Sequence, residues 1–248
     1  MILLPGAGDV RSENRFLVRD LSAAELRVVN ADLPGHGSSP PARSYGVAQT
    51  ADALLGLIDT LGGGPALVVA TSFAPAAAIW AAAEHPDRVA AIVAISPHLD
   101  ADNSFKGRLV TGLVRTLLGG PWAGGVWDRL YRSWYKRRVP DDIDNELTRM
   151  KAMLRDPSRR RAVRETLTAH RDGMAERIEK CSCPVLAVFG AADDHFPDPA
   201  AEAVRVASRL QGEFLVVEGA GHYPHVERPD IVSPAVAGFL KRHGALGV

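Results

Sequence analysis

The sequence predicts an α/β domain: a mostly parallel sheet, helices on both of its faces and one helical insertion. Two observations carry this. Short apolar, β-branched runs recur at Ile2–Leu4, Arg27–Ala31, Leu67–Ala70, Val89–Ile95, Val185–Phe189 and Phe214–Val217, and segments of helical spacing lie between them at Asn14–Ala24, Val47–Leu61, Phe73–Glu84, Asp198–Leu210 and Asp230–His243. Strands that are apolar throughout are those buried on both faces, and parallel neighbours need long crossovers such as these helices. The alternation then stops between about Pro97 and Lys180, where no strand-like run occurs and three or four helices rich in Arg, Trp and Tyr are expected. An insertion of this kind is most simply a cap over the C-terminal edge of the sheet. It gives a core of residues 1–96 and 181–248 and a cap of residues 97–180.

The bulk numbers narrow the partner. A chain of 248 residues suits one large domain with an inserted subdomain. Lys+Arg and Asp+Glu number 29 each, so the net charge is zero and no electrostatic footprint for nucleic acid or an anionic membrane is present. A small-molecule partner is expected. Cys181 and Cys183 are the only cysteines, one residue apart, too close for an unstrained disulfide and too few for zinc. They read as reduced thiols in a cytoplasmic protein, with no metal and no cofactor expected. Ala66–Ala83 is uncharged and long enough to raise the membrane question, but Pro75 and the change from Leu67-Val68-Val69 to an alanine-rich half favour a strand turning into a helix. Met1 is not followed by the pattern of a signal peptide.

That same segment carries the strongest chemical signal. In Ala70-Thr71-Ser72-Phe73-Ala74 a serine stands where the strand runs directly into the helix, with a small residue two positions away on each side. A nucleophile elbow needs this, because the strained turn lifts the hydroxyl above the sheet and leaves no room for bulk at those positions. The glycines of the usual Gly-x-Ser-x-Gly are here Ala70 and Ala74. Taken alone, such a serine is equally a helix N-cap. Two later segments tilt the balance. Gly190-Ala-Ala-Asp193-Asp194-His195 and Glu218-Gly219-Ala-Gly221-His222-Tyr-Pro-His225 each follow a strand, where open α/β sheets place their sites, and the order is Ser, Asp, His.

With Leu4-Pro-Gly-Ala-Gly-Asp, Asp32-Leu-Pro-Gly-His-Gly-Ser and His85-Pro-Asp-Arg-Val, these segments resemble the α/β-hydrolase superfamily, in particular bacterial serine hydrolases of the esterase type. The likeness runs along nearly the whole chain except residues 97–180. It implies Ser72 as nucleophile, His222 as base and Asp193 as the residue that orients the imidazole. It also implies an oxyanion hole from the backbone N–H groups of Phe73 and Ala7. Members normally carry two further strands ahead of the loop at Pro5. By the resemblance these are missing here, which makes Arg27–Ala31 the sheet edge and a possible homodimer contact.

Alternatives remain at several positions. Asp194 is one residue from Asp193, and Asp100 or Asp102 occupies the other place from which relatives take the acid. His195 and His225 read as hydrogen-bonding or surface residues, and His36 as part of a turn between Gly35 and Gly37. Arg155, Arg159, Arg160, Arg161 and Arg164 read as a solvated face. Gly6-Ala-Gly8 lacks the third glycine of a dinucleotide fingerprint, since Arg11 stands there. Trp122, Trp127, Tyr131 and Trp134 are expected both to pack the cap and to roof an apolar substrate pocket. The expected reaction is acyl transfer from an ester, lactone or related carbonyl compound to Ser72 and then to water. Carbon–carbon bond hydrolysis, lyase or perhydrolase chemistry, and ligand binding without turnover, are the alternatives.

Overall fold

The computed structural model describes residues 1–23, 27–100 and 105–243, with backbone alone at 105–108, 110 and 111. Asp102, one candidate for the acid, falls outside them. Six strands form one sheet: β1 (Ile2–Leu4), β2 (Val29–Asn30), β3 (Ala66–Thr71), β4 (Val89–Ile95), β5 (Val185–Gly190) and β6 (Glu213–Val217). Their order is β2-β1-β3-β4-β5-β6 and every neighbouring pair is parallel. β2 is an edge strand, as the resemblance implied, with β6 at the other edge, and it is shorter than the expected run. Its pairing with β1 is extended by Val29 N–H to the Met1 carbonyl (2.9 Å) and Ala31 N–H to that of Leu3 (3.1 Å).

The helices of the core are α1 (Arg15–Ala23), α2 (Val47–Thr60), α3 (Ala74–Glu84), α9 (Pro199–Arg209), the short α10 (Pro224–Glu227) and α11 (Pro229–Arg242). Successive strand residues point to opposite faces, so each strand feeds two cores. Ile2, Leu4, Val68, Ala70, Ile92, Ala94 and Ala187 pack on α2, α3 and α9. Leu3, Val69, Val93, Ile95 and Val188 pack on α1 and α11 through Leu17, Leu21, Val232, Val236 and Phe239. Alanines at 70, 94 and 187 on the first face let the alanine-rich α3 lie close to the sheet. The uncharged run Ala66–Ala83 is thereby β3 followed by most of α3, and no helix among the described residues is long and apolar enough to cross a membrane.

Among the described residues between Pro97 and Lys180 there are five helices rather than three or four: α4 (Phe105–Leu117), α5 (Ala123–Ser133), α6 (Ile143–Leu154), α7 (Pro157–Leu167) and α8 (Met174–Lys180). The additional one, α8, buries Met174 and Ile178 in the same core cluster as α3. Its apolar stripe is too short to distinguish it from the cap in sequence, and only packing assigns it to the sheet. The remaining insertion has its own core of Ala123, Trp127, Tyr131, Tyr135, Leu147, Met150 and Val163, which merges with Val10, Tyr223 and Val226.

The strand order reverses its direction of growth at β1 and β3. Loops leaving such neighbours run to opposite faces, and it is outside the C-terminal ends of strands at such a point that open α/β sheets place their sites. The loop after β1 starts at Pro5; β3 leads directly to Ser72.

Candidate active site

Ser72 is forced into its position by the turn between β3 and α3. Its φ is 61°, a left-handed conformation uncommon for a residue with a side chain. The turn is held by Ser72 N–H to the Ile95 carbonyl (2.8 Å) and His98 N–H to the Ser72 carbonyl (2.9 Å). Gly6 is required opposite it: a Cβ there would come within 3.3 Å of Ser72 Cβ and 2.8 Å of Asp9 Oδ2. Among the described residues, neither Ala7 nor Phe73 directs its backbone N–H to a protein acceptor. Phe73 is the N-cap of α3, where free donors and the positive end of the helix dipole coincide.

The loops after β5 and β6 are pressed together by two glycines. A Cβ on Gly190 would lie 2.0 Å from the Gly221 carbonyl oxygen, and one on Gly221 would lie 2.1 Å from that of Trp134. Ala192 N–H to the Ala220 carbonyl (2.9 Å) and His222 N–H to the Trp134 carbonyl (3.0 Å) complete the contact. Asp193 and His222 meet as a result: Nδ1 of His222 is 2.8 Å from Asp193 Oδ2, with both side chains buried. Burial by itself would raise the Asp193 carboxyl, but the charge on His222 and the hydrogen bonds from His195 and His222 outweigh it and hold the group far below the usual carboxylate range. Burial lowers the His222 imidazole below the ordinary histidine value, His195 adds to this, and Asp193 opposes both.

The rival acids lie elsewhere. Asp194 is paired with Lys136 at 2.7 Å on the surface, and Asp100 with Arg205 (2.7 Å) and Arg209 (2.8 Å). His36 is buried in the turn expected for it, between Gly35 (φ 71°) and Gly37 (φ 48°). His225 is buried too and pairs with Glu13 at 2.6 Å.

The aromatic residues of the cap separate into three roles. Trp134 stands at the site, its ring centroid 5.1 Å from that of His195 and 5.9 Å from that of His222. Trp127 and Tyr131 face into the insertion's own core, and the Trp127 ring lies against Gly8, leaving no room for a Cβ there. Trp122 does not roof a pocket: it is 58% exposed, folded over Gly120 at the start of α5, and helical phase puts it on a different face from Trp127 and Tyr131. Arg155 and Arg161 are exposed as expected, but not all five arginines are solvated: Arg159, half-buried, donates to the Ser39 carbonyl in the turn after His36, and Arg160, half-buried, donates to the Leu154 and Arg155 carbonyls at the end of α6.

His195, read as a hydrogen-bonding or surface residue, has its Nδ1 2.9 Å from Asp193 Oδ1. One site residue, His98, is absent from the sequence reading altogether. Its ring stacks on Phe196 at 4.8 Å and lies 5.6 Å from both His195 and His222. The available signal is its place three residues beyond the end of β4, on the same edge of the sheet as Ser72. Asp193, His195 and His222 bring potential ligand atoms within 4.8 Å of one another, the arrangement a metal site starts from. Both Nδ1 atoms are directed at the carboxylate, one at each oxygen, and this is a hydrogen-bonding arrangement; we assign no metal to it.

A cleft of about 360 Å³ lined by Met1, Ile2, Val29, Ile58 and Leu61 contains none of the candidate residues. It opens at the start of β1 and β3, the end of the sheet opposite Ser72.

Comparison with known proteins agrees with this architecture. Residues 1–235 match the model of the alpha/beta hydrolase family. The pimeloyl-[acyl-carrier protein] methyl ester esterase of Neisseria meningitidis (strain H44/76) is 28% identical over 245 residues, covering 92% of this chain and 89% of that protein. The thermophilic esterase of Thermogutta terrifontis superposes with a TM-score of 0.80 at 22% identity, covering 98% of this chain and 89% of the other. The enol-lactonase of Burkholderia xenovorans LB400 does so with 0.79 at 20% identity, covering 97% and 90%. With its parallel sheet, the strained turn at Ser72 and a family match along nearly its whole length, the chain belongs to the alpha/beta hydrolase family.

Proposed function

We propose that Ser72, His222 and Asp193 form the catalytic triad of a serine hydrolase acting on an ester, lactone or related carbonyl bond. The reaction class is that of a family member whose relatives include a methyl ester esterase and an enol-lactonase. The observation that carries the residue assignment is the bond between His222 Nδ1 and Asp193 Oδ2. An ionised carboxylate only accepts hydrogen bonds, so Nδ1 bears the proton and Nε2 is left as the base.

The proposed steps assign each of these groups one role. Nε2 of His222 takes the Ser72 Oγ proton as the oxygen attacks the carbonyl carbon, and Asp193 stabilises the imidazolium that forms. The free N–H groups of Ala7 and Phe73 receive the developing oxyanion. His222 then returns the proton to the departing alcohol or enol oxygen, leaving Ser72 acylated, and water repeats the sequence to release the acid. Carbon–carbon bond hydrolysis, lyase or perhydrolase chemistry and turnover-free binding, all open from the sequence, are not favoured by these relatives. Cap aromatics bear on specificity through Trp134, which packs on both histidines.

The test is a screen of short ester, lactone and amide substrates against wild type and Ser72→Ala, with fluorophosphonate labelling of both. Removing a triad nucleophile costs on the order of a million-fold in turnover. Turnover and labelling should vanish together in Ser72→Ala; retention of more than a few per cent of the activity overturns the assignment.

A further inference from the structure

We propose that Arg171 is a specificity-determining residue that binds a carboxylate carried by the substrate, so that the bond broken at Ser72 belongs to an ester or lactone that also bears an acid group. The inference rests on the triad reading above and names the substrate class of that same site.

Arg171 lies in the segment that returns from α7 to α8. Its guanidinium carbon sits 5.0 Å from the centroid of the Phe73 ring, and Phe73 is the residue after Ser72. Nε donates to the His98 carbonyl at 3.0 Å, and His98 in turn donates its backbone N–H to the Ser72 carbonyl at 2.9 Å. The charge is therefore fixed against two residues that flank the Ser72 turn, one of them the proposed oxyanion donor.

What this cation lacks is an acid. Nη1 donates to the Ala169 carbonyl at 2.8 Å, and among the described residues Arg171 bonds to carbonyls alone. Asp100, the acid whose charge it feels, is held instead by Arg205 at 2.7 Å and Arg209 at 2.8 Å. By contrast Arg15 faces Asp142 at 2.6 Å and Arg177 faces Glu84 at 2.7 Å. Phe73, on which Arg171 lies, belongs to a buried apolar cluster with Leu99 and Met174. Burial pulls the guanidinium down to about 10, with Asp100 opposing, so it is still a cation at neutral pH and a poorly compensated one.

The same group has donors to spare. Nη2 makes no hydrogen bond among the described residues, and the residue is half-buried rather than sealed, so one edge of the fork is open to a ligand. A carboxylate is planar, accepts two parallel N–H bonds from such an edge and brings the single negative charge that the single positive one requires. The apolar pocket expected from the sequence thereby acquires one charged contact beside the nucleophile.

The deciding experiment reads, within wild type, Arg171→Lys and Arg171→Gln, the ratio of kcat/KM for an anionic substrate to that for its neutral counterpart. Two series serve: monomethyl esters of straight-chain dicarboxylic acids, with the carboxylate on the acyl side, and acetyl esters of ω-hydroxy acids, with it on the alcohol side. Each is set against the analogue in which the carboxylate is a primary amide. Wild type should favour the carboxylate in one series, and the ratio should fall about ten- to a hundredfold in Arg171→Gln and less in Arg171→Lys, which keeps the charge and loses the fork. A purely structural role for Arg171 would lower both rates and leave the ratio in place. A ratio shared by wild type and both variants overturns the proposal, as does a wild type that favours the amide in both series. Calorimetric titration of Ser72→Ala with the same compounds reads the contact without turnover. Adding Arg171→Lys should weaken binding of the carboxylate relative to the amide, and equal losses for the two overturn the proposal even if Arg171→Gln does not fold. Persistent turnover in Ser72→Ala would instead defeat the triad reading, whatever the ratio does.

Discussion

The Tyr223 hydroxyl donates to Asp9 Oδ2 at 2.9 Å with both side chains buried, joining the residue after His222 to the loop that carries Ala7. Through this bond the histidine loop and the loop after β1 are held in one register. Asp9 has little else: its Oδ1 is buried without a hydrogen-bond partner. Burial raises its carboxyl well above the usual range, Glu13 and Glu146 add to this, and only the Tyr223 bond opposes it.

A carboxyl raised in the folded state stabilises the fold fully below its unfolded value, about 3.9, and that contribution is lost as pH rises through the folded value. Asparagine keeps an acceptor for Tyr223 and does not titrate. Asp9→Asn should therefore melt above wild type at pH 8, the difference closing towards pH 4. Asp9→Ala should lose about 1–3 kcal/mol near pH 4, since it leaves the Tyr223 hydroxyl buried without a partner, and less at pH 8, where it too escapes the titration of Asp9. Thermal melts across this range check both; an Asn variant that melts below wild type at pH 8 would show Asp9 to be ionised.

Asp193 and Asp194 are neighbours in sequence with opposite environments. Asp193→Asn removes the acceptor that fixes the His222 tautomer, and comparable changes cost about 10⁴ in kcat. Asp194 belongs to a surface pair with Lys136, worth about 0–1 kcal/mol. Asp194→Asn should keep kcat within about twofold of wild type. Steady-state kinetics of the two variants separates the rivals that the sequence leaves one residue apart.

His36 is fully buried, with Nδ1 bonded to the Pro34 carbonyl at 3.0 Å and Nε2 without a partner. A proton on Nε2 would be an unpaired charge in the interior, and burial pulls the imidazole down to about 4. The unfolded chain binds this proton from about 6.5 downward and the folded chain does not until about 4. Stability from His36 is thus present above 6.5 and lost as pH falls towards 4, by about 3 kcal/mol. Urea midpoints should decline over that window, and less steeply in His36→Asn.

Trp127 packs the helices of the insertion against the loop after β1. It is buried, lies on Gly8, and sends its Nε1–H towards Met150 Sδ at 3.3 Å. Trp127→Ala should cost about 3–5 kcal/mol and open a cavity beside the loop that carries Ala7 and Gly8. Longer acyl chains should then gain in kcat/KM relative to acetate esters, as a chain-length series would show.

Much of this molecule is legible in local pattern. The apolar runs give five of the six strands nearly to the residue, because a strand buried on both faces must be apolar at every position. Ser72 is conspicuous for a similar reason: only a sharp strand-to-helix turn needs small residues at 70 and 74. Gly190 and Gly221 were visible as well, but what they do was not, since each is required by a backbone distant in sequence.

The sequence by itself determined the parallel sheet and the placing of Ser72, Asp193 and His222 beyond strand ends, which depend on periodicity or on residues within one turn of each other; the edge strand and the family came from the resemblance that several such motifs carry together. Tertiary structure alone decided that Asp193 serves two histidines, that His98 joins them, that Trp122 faces out while Trp134 faces the site, and that α8 packs on α3. Those facts depend on which loops the crossovers bring together and on how the cap settles. Burial, which sets the proton affinities of Asp9, His36 and His222, exists only once the layers have closed.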